Sequence, residues 1–302
     1  MASGTFKLYL RRTEDAILAA FDKRFGYPLE RRNFRKAHGY PFNLAAPRSF
    51  NEKICWKKLY DRNPLLPVLA DKYAIRQHIV DVLGDAVARE ILIPLLQVTE
   101  DPQAIDFDRL PTAFVVKSNH GSGHNLLVHD KSVADREAII RACRVWLKTQ
   151  YGVRAHEWAY ENTPRKILLE TMLKDASGQI PPDYKFSMIH GECVFIQVDC
   201  NRFGDFTRTL YDKDWNRIDV AWKRKAGAPI ERPDKLEAML ALATKLSQGL
   251  DYIRIDFYVM DGAIFLGEMT NYPARGRGKF SPQSYDFELG DKWMVDVDYW
   301  RR

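Results

Sequence analysis

The stretch RIDFYVMDGAIFLGEMTNYP, from Arg254 to Pro273, contains two apolar-alternating runs separated near Asp261-Gly262. That pattern folds as an antiparallel hairpin. A second hairpin, YKFSMIHGECVFIQVD, is expected to turn at His190-Gly191. Strands joined tip to tip do not build regular strand–helix–strand units, so a doubly wound parallel sheet is excluded and an α+β chain is expected. Further strands are expected at ILIPLLQV, AFVVKS, LLVHD and KILLETML. Helices are expected from Thr13 to about Phe25, with Ile17, Leu18, Phe21 and Phe25 on one face, and over NEKICWKKLY. LADKYAIRQHIVDVLG reads as one helix ending at Gly84. Residues 133–150 form a helix with Ile139, Ile140, Cys143 and Leu147 aligned. PDKLEAMLALATKLSQGL forms another, burying Leu236, Met239, Leu240, Ala243 and Leu246.

The first hairpin is apolar except for charges at selected positions. Alternation sets Arg254, Asp256 and Tyr258 on one face and Ile255, Phe257 and Val259 on the other. A two-residue loop at Asp261-Gly262 would pair Ile255 with Glu268 and bury the carboxylate alone, which costs several kcal/mol. A three-residue loop, Met260-Asp261-Gly262, pairs Arg254 with Glu268 instead. Asp256 and Glu268 are then diagonal neighbours about 7 to 8 Å apart. The three-residue loop is the expectation. Two such carboxylates can hold one or two Mg²⁺, which need hard oxygen ligands and phosphates. Thr270 or Asn271 adds a further oxygen, and Arg254 can neutralise a phosphoryl group. An Arg–carboxylate pair on a wet surface is the competing reading of the same residues.

FVVKSNHGSGHNLLVHD is the other unusual stretch. Its glycine-rich loop joins strand to strand, so it is neither a P-loop nor a dinucleotide fingerprint, both of which lead into a helix. A loop with Gly121, Ser122 and Gly123 can fold over phosphates, with Lys117 as a point charge; an ordinary polar turn competes with that reading. Glycines between His120 and His124 argue against a helical zinc site.

The 302 residues carry a formal net charge of +6. Residues 1–48 alone hold ten Lys or Arg against four Asp or Glu, so the remainder is neutral. Such an arm suits an anionic polymer, a phosphorylated carrier or a membrane surface, and equally a solvated helical face. No apolar run reaches membrane-spanning length, MASGTFKLYLRR shows no apolar h-region of the kind a secretory signal carries, and four cysteines lack CxxC spacing. A cytoplasmic protein is expected, with any membrane contact peripheral to the inner face.

In chain order, the lysine with its glycine-rich loop, the strand bearing Glu170, DYKF and RIDF…GEMTNYP resemble the ATP-grasp superfamily. The wording of SFNEKICWKKLYDRNPLL, LADKYAIR and LPTAFVVKSNHGSGHN is similar to the teichuronopeptide-biosynthesis, TupA-like type. The resemblance implies an ATP-grasp fold, two α+β subdomains clamping ATP, with a helical basic N-terminal region. The expected segments are 1–64 for that region, 65–110 for the start of the ligase core, 111–173 with the lid, and 174–302 with the metal-binding hairpin. It implies that Lys117 and Lys185 contact phosphates under the 121–123 lid, and that Glu170, Met172 and Leu173 line the adenine hinge. Asp256 and Glu268 would bind Mg²⁺. Many members carry Asn two residues after the glutamate; here that position is Thr270 and Asn271 is one further on, so the third ligand would be Thr270 or Asn271. Lys72 and Arg76 would reach the same pocket, and Arg254 would face the phosphoryl group. PARGRGKF, with Arg275, would bind the acceptor carboxylate or acyl phosphate.

The implied reaction is an ATP-dependent carboxylate–amine ligation through an acyl phosphate, joining an amine or amino acid to an acidic sugar or glycan intermediate of a bacterial cell-surface polysaccharide pathway. No nucleic acid partner is expected. A sugar kinase or phosphotransferase and a non-catalytic glycan-binding protein are the alternatives.

Overall fold

The computed structural model describes residues 2–175, 178–200 and 206–301. Ala176 and Ser177, in the loop expected after KILLETML, lie outside the described residues. The N-terminal helix α1 runs Ala2–Arg24, well before Thr13. Its expected apolar face stays open: Ile17, Phe21 and Phe25 are 62%, 48% and 64% exposed. Helix α2 is Pro28–His38 and α3 is Phe50–Tyr60, opened by a capping box between Ser49 and Glu52.

The single helix expected over LADKYAIRQHIVDVLG is instead two. Leu65–Ala70 forms α4 and Ile75–Leu83 forms α5. Asp71 breaks the run by accepting bonds from the backbone of Tyr73 (2.8 Å) and Ala74 (3.3 Å), a local turn that competes with helix. Helix α6, Asp85–Ile91, follows Gly84.

Contacts divide the chain into two units: residues 1–27, 67–78 and 93–173, and residues 28–66, 79–92 and 174–302. The first has a four-stranded antiparallel sheet built from β1 (Leu95–Thr99), β2 (Phe114–Ser118), β3 (Asn125–Val128) and, after helix α7 (Arg136–Lys148), β4 (Ile167–Thr171), in the order β1-β4-β2-β3. Ile139, Ile140 and Cys143 of α7 pack with Phe114, Val116, Ile167 and Leu169 as its core.

The second unit carries β5 (Asp183–Ile189), β6 (Glu192–Cys200), β7 (Thr207–Tyr211), β8 (Arg217–Ile218), β9 (Ala221–Trp222), helix α8 (Leu236–Leu246), β10 (Tyr252–Met260), β11 (Ala263–Thr270), β12 (Phe280–Ser281) and helix α9 (Ser284–Asp291). Six strands form one antiparallel sheet, β11-β10-β5-β6-β7-β8, and β9 pairs with β12. Strands β7, β8, β9 and β12 had no counterpart in the sequence reading; two- to five-residue strands give little periodicity.

One face of the six-stranded sheet is apolar. Cross-strand pairs Ile255–Phe186, Phe257–Tyr184 and Phe186–Ile196 lie on it, with α8 packed over β5 and β6. At the mean transfer coefficient, each such fully buried side chain contributes about 2 to 3 kcal/mol. A second core gathers the aromatic rings of Phe50, Phe195, Trp222, Tyr252, Phe280 and Trp293.

Candidate active site

The opposite face of the six-stranded sheet is polar, and the hairpin of β10 and β11 decides how. Its loop is the two-residue one, with Met260 opposite Ala263. Asp261 and Gly262 have φ of 51° and 75°, the left-handed pair whose twist matches the strands and which Asp-Gly favours. The expected three-residue loop is therefore wrong, and so is the Arg254–Glu268 pairing. The carboxylates nevertheless share a face, because Gly267 is an extra residue between Leu266, opposite Phe257, and Glu268, opposite Asp256. Asp256 and Glu268 are direct cross-strand partners, not diagonal ones, and Arg254 faces Thr270. A Cβ on Gly267 would meet the Tyr258 ring at 2.8 Å, so glycine suits this close approach.

Arg254 ties the group together. Its Nε donates to Asp256 Oδ1 at 2.6 Å, and its Nη2 to Asp256 Oδ2 at 2.7 Å, Glu268 Oε1 at 2.8 Å and Thr270 Oγ1 at 2.9 Å. Burial opposes the guanidinium charge, but Asp256 and Glu268 outweigh it and hold the group more firmly protonated than an ordinary arginine. From β5, Lys185 Nζ donates to Asp256 Oδ2 at 2.5 Å and also to Asp183. Lys185, Asp183 and Asp256 are all at most 5% exposed.

The array continues past the residues expected from sequence. Lys185 faces Gln197 and Asp183 faces Asp199 on β6. Asp199 takes a two-pronged pair from Arg208 on β7, at 2.7 and 3.0 Å. Burial raises the Asp199 pKa, but Arg208 outweighs it and holds the carboxylate below its usual range. Gln197 Oε1 is buried without a hydrogen-bond partner. Asp183, Gln197, Asp199 and Arg208 were missed, although alternation along DYKFSMI and VFIQVD places Asp183 with the expected Lys185, and Gln197 with Asp199, on one side each. Strand register, which is tertiary, makes the two sides one.

Asn271 goes elsewhere: its Nδ2 donates to Leu66 O at 2.8 Å, and its Oδ1 is buried unbonded. Thr270, by contrast, donates to Glu268 Oε1 at 3.1 Å within the array. The oxygens of Asp256, Glu268 and Thr270 are the hard donors that Mg²⁺ takes, with phosphates and water completing its shell. Among the described residues, no group of three or more His, Cys, Asp or Glu gathers as a metal cluster, so any ion here would rest on two carboxylates. Arg275 lies in a turn where Ala274, Arg275 and Gly276 have φ of 50°, 60° and 69°.

The first unit holds a second group. Lys117 on β2 forms an ion pair with Glu170 on the adjacent β4, their side chains 14% and 5% exposed. Arg76 Nη1 donates to Ile93 O at 3.0 Å and is within electrostatic reach of Glu170. Lys72 Nζ donates to Gly121 O at 2.7 Å. The glycine-rich loop is tethered further by Asn119, whose Nδ2 donates to Asp71 (2.9 Å) and Pro164 O (2.7 Å). Gly121 has φ of 81° and sits where a Cβ would be 2.7 Å from the Tyr151 ring. Ser122 and Gly123 are exposed at the tip. Burial, then Arg165 and His124, push the His120 pKa down to about 4. Met172 and Leu173, just past β4, are buried.

A lysine–carboxylate group beside a glycine-rich hairpin and an acidic hairpin with arginine at its centre are parts suited to phosphates and divalent cations. The TupA-like ATPgrasp family matches residues 52–294. The chain belongs to that family. Similar solved structures include D-alanine–D-alanine ligase from Bacillus anthracis complexed with ATP, 17% identical over 68% of this chain and 55% of that one, TM-score 0.39. D-alanine–D-alanine ligase from Helicobacter pylori is 15% identical over 81% and 69%, TM-score 0.44. An ATP-grasp RimK domain protein from Sphaerobacter thermophilus is 15% identical over 76% and 69%, TM-score 0.44. The chain spans about half the length of the first of these structures. A search of curated proteins found no match. No helix among the described residues is long and apolar enough to cross a membrane. All four cysteines are free thiols.

Proposed function

We propose that the protein is an ATP- and Mg²⁺-dependent carboxylate–amine ligase that forms an amide through an acyl phosphate. The observation that carries this reading is the polar face itself: the Gly267 bulge sets Glu268 opposite Asp256, with Arg254 and Lys185 bonded to the same carboxylate. Family membership supports it. Asp256 and Glu268, with Thr270, would hold Mg²⁺, which when bound neutralises phosphate charge. An oxygen of the acceptor carboxylate attacks the γ-phosphorus, and the bond to the β-phosphate oxygen breaks to release ADP. The amine nitrogen then attacks the acyl carbon, phosphate leaves, and the amine gives up a proton.

In this reading Lys185 and Arg254 offset the charge spread over the transferring phosphoryl oxygens, and preorganisation in a buried site makes that effective. Lys117, Lys72 and Arg76 take the nucleotide phosphates under Gly121, Ser122 and Gly123. Glu170, Met172 and Leu173 meet the base and ribose. Arg275 holds the acceptor carboxylate. Residues 111–173 and 174–302 act as the two nucleotide-binding subdomains. The acceptor is an acidic sugar or glycan intermediate of cell-surface polysaccharide synthesis, and the basic N-terminal region, on the cytoplasmic side, meets a membrane surface or an anionic carrier.

The test is mass spectrometry of products after incubation with ATP, Mg²⁺, pooled amines and uronic-acid sugars. An amide product with stoichiometric ADP and phosphate is expected. A stable phosphorylated sugar formed without amine would replace the ligase reading with a phosphotransferase. Absence of any stabilisation by Mg·ATP would replace it with a binding protein.

A further inference from the structure

Beside the proposed catalytic array, the same unit gathers cations that the reaction as described does not use. Arg208 on β7 continues the polar face through its pair with Asp199. Strand β7 lies two strands from β5, so Arg208, in line with Asp199 and Asp183, stands about 10 Å from β5 across the sheet. Its guanidinium also lies 5.3 Å over Trp222 and 5.6 Å over Phe206, and its Nη1 donates to Trp222 O at 3.4 Å. Arg224 lies over the same Phe206 ring, 4.9 Å from its centroid.

The backbone is bent to bring these groups together. Arg224 N donates to Trp222 O at 2.8 Å around Lys223, whose φ is 61°. A three-residue turn of that hand is uncommon and strained for a residue with a side chain. Lys223 N in turn donates to Lys279 O at 3.3 Å, and β9 pairs with β12, which joins this turn to the segment carrying Arg275. Arg275 has φ of 60°, also left-handed. Two basic residues thus sit at strained positions on adjoining segments. The Lys223 ammonium is depressed below the ordinary lysine value by lost hydration and then by Arg208, Arg224 and Arg275. Asp199 balances Arg208, while among the described residues no carboxylate is paired with Lys223 or Arg224. Like charges collected this way repel one another unless an anion joins them.

We propose that Arg208, Lys223 and Arg224 form an anion subsite for a second negatively charged group of the acceptor, a carboxylate or a phosphate, so that the molecule ligated is a polyanion with charge beyond its reacting carboxylate. The choice of polyanion as acceptor rests on the ligase reading; the subsite itself does not. A sugar whose only charge is its reacting carboxylate would leave these cations without a role. An acidic oligosaccharide, or a sugar carrying a phosphate, presents charges at the required separation.

The test uses the full chain saturated with Mg·ADP and titrated calorimetrically with galacturonate, trigalacturonate and inorganic phosphate. Trigalacturonate is expected to bind at least tenfold more tightly than galacturonate. The exposed double substitution Lys223→Ala with Arg224→Ala should erase that advantage while leaving Mg·ADP affinity within twofold. If the trimer shows no advantage but phosphate binding falls at least tenfold in the double variant, the subsite stands and phosphate is its source. A trimer advantage that survives the double substitution overturns the proposal, as does equal binding of trimer and monomer with phosphate unaffected. Wild-type protein that binds no Mg·ADP yet keeps trimer binding dependent on Lys223 and Arg224 would remove the ligase reading and leave the subsite.

Discussion

Replacing Asp256 by Asn separates the electrostatic role of this carboxylate from its shape. The residue is 1% exposed, and its carboxylate accepts from Arg254 at 2.6 and 2.7 Å and from Lys185 at 2.5 Å. Breaking a buried ion pair from one side costs about 3 to 5 kcal/mol, chiefly because a charge is left uncompensated. Here Arg254 keeps Glu268 and Lys185 keeps Asp183, so the lower end applies, about 3 kcal/mol. At roughly 2 to 4 °C per kcal/mol for a chain of this size, the melting temperature falls by about 6 to 12 °C. The functional loss should be larger. With Mg·ADP at a hundred times its dissociation constant, the wild type gains about 2.7 kcal/mol, and Asp256→Asn should lose the Mg²⁺-dependent part of that gain. ADP formation should fall at least about a hundredfold. Calorimetric or fluorescence melts with ADP, with and without Mg²⁺, read the first effect, and a coupled ADP assay reads the second. A folded Asp256→Asn protein with the wild-type Mg²⁺-dependent shift and the wild-type rate would refute the metal assignment.

Lys117→Met leaves Glu170 buried without its ion pair; a loss of about 3 to 5 kcal/mol in urea unfolding and a raised KM for ATP are expected. Gly121→Ala forces a side chain into a left-handed position against Tyr151. It should cost about 1 to 2 kcal/mol in thermal stability and weaken ADP binding. His120 titrates near 4 when folded and near 6.5 when unfolded, so between these values the unfolded chain binds a proton that the folded one refuses. Its contribution is therefore full above about pH 6.5 and lost as pH falls toward 4, about 2 kcal/mol after allowance for partial hydration. His124, also lowered by burial, adds in the same direction. Urea midpoints from pH 4.5 to 7.5 should show this slope in the wild type and a shallower one in His120→Asn.

The strands with strong alternation were legible because one side of each must leave water and the other need not. Arg254 and Asp256 on one side of β10, the turn at His190-Gly191, and the buried stripe of α8 at Leu236, Met239, Ala243 and Leu246 all follow from period alone. Glu268 does stand beside Asp256, though its side chain is 36% exposed and not the buried group that the sequence suggested. Sequence reasoning placed it there with a longer loop; the chain does so with a bulge at Gly267 and keeps the tight Asp-Gly turn. The helix α3 was found, but Lys57 and Lys58, which look like its wet face, are fully buried. Lys57 reaches Asp61 and Asp251, and Lys58 reaches Glu30.

The amino-acid sequence by itself determined which residues alternate, where the backbone must turn, and that a lysine with a glycine-rich loop precedes an arginine–carboxylate hairpin. Those features are local, set by side-chain period and by the φ that each residue tolerates. Only the tertiary structure decided which strands lie side by side. That register brings Asp183, Gln197, Asp199 and Arg208 onto one face with Asp256 and Glu268. Partners up to 75 residues apart meet across β5 and β10, as Lys185 does with Asp256 at a separation of 71, and no local preference records such a meeting.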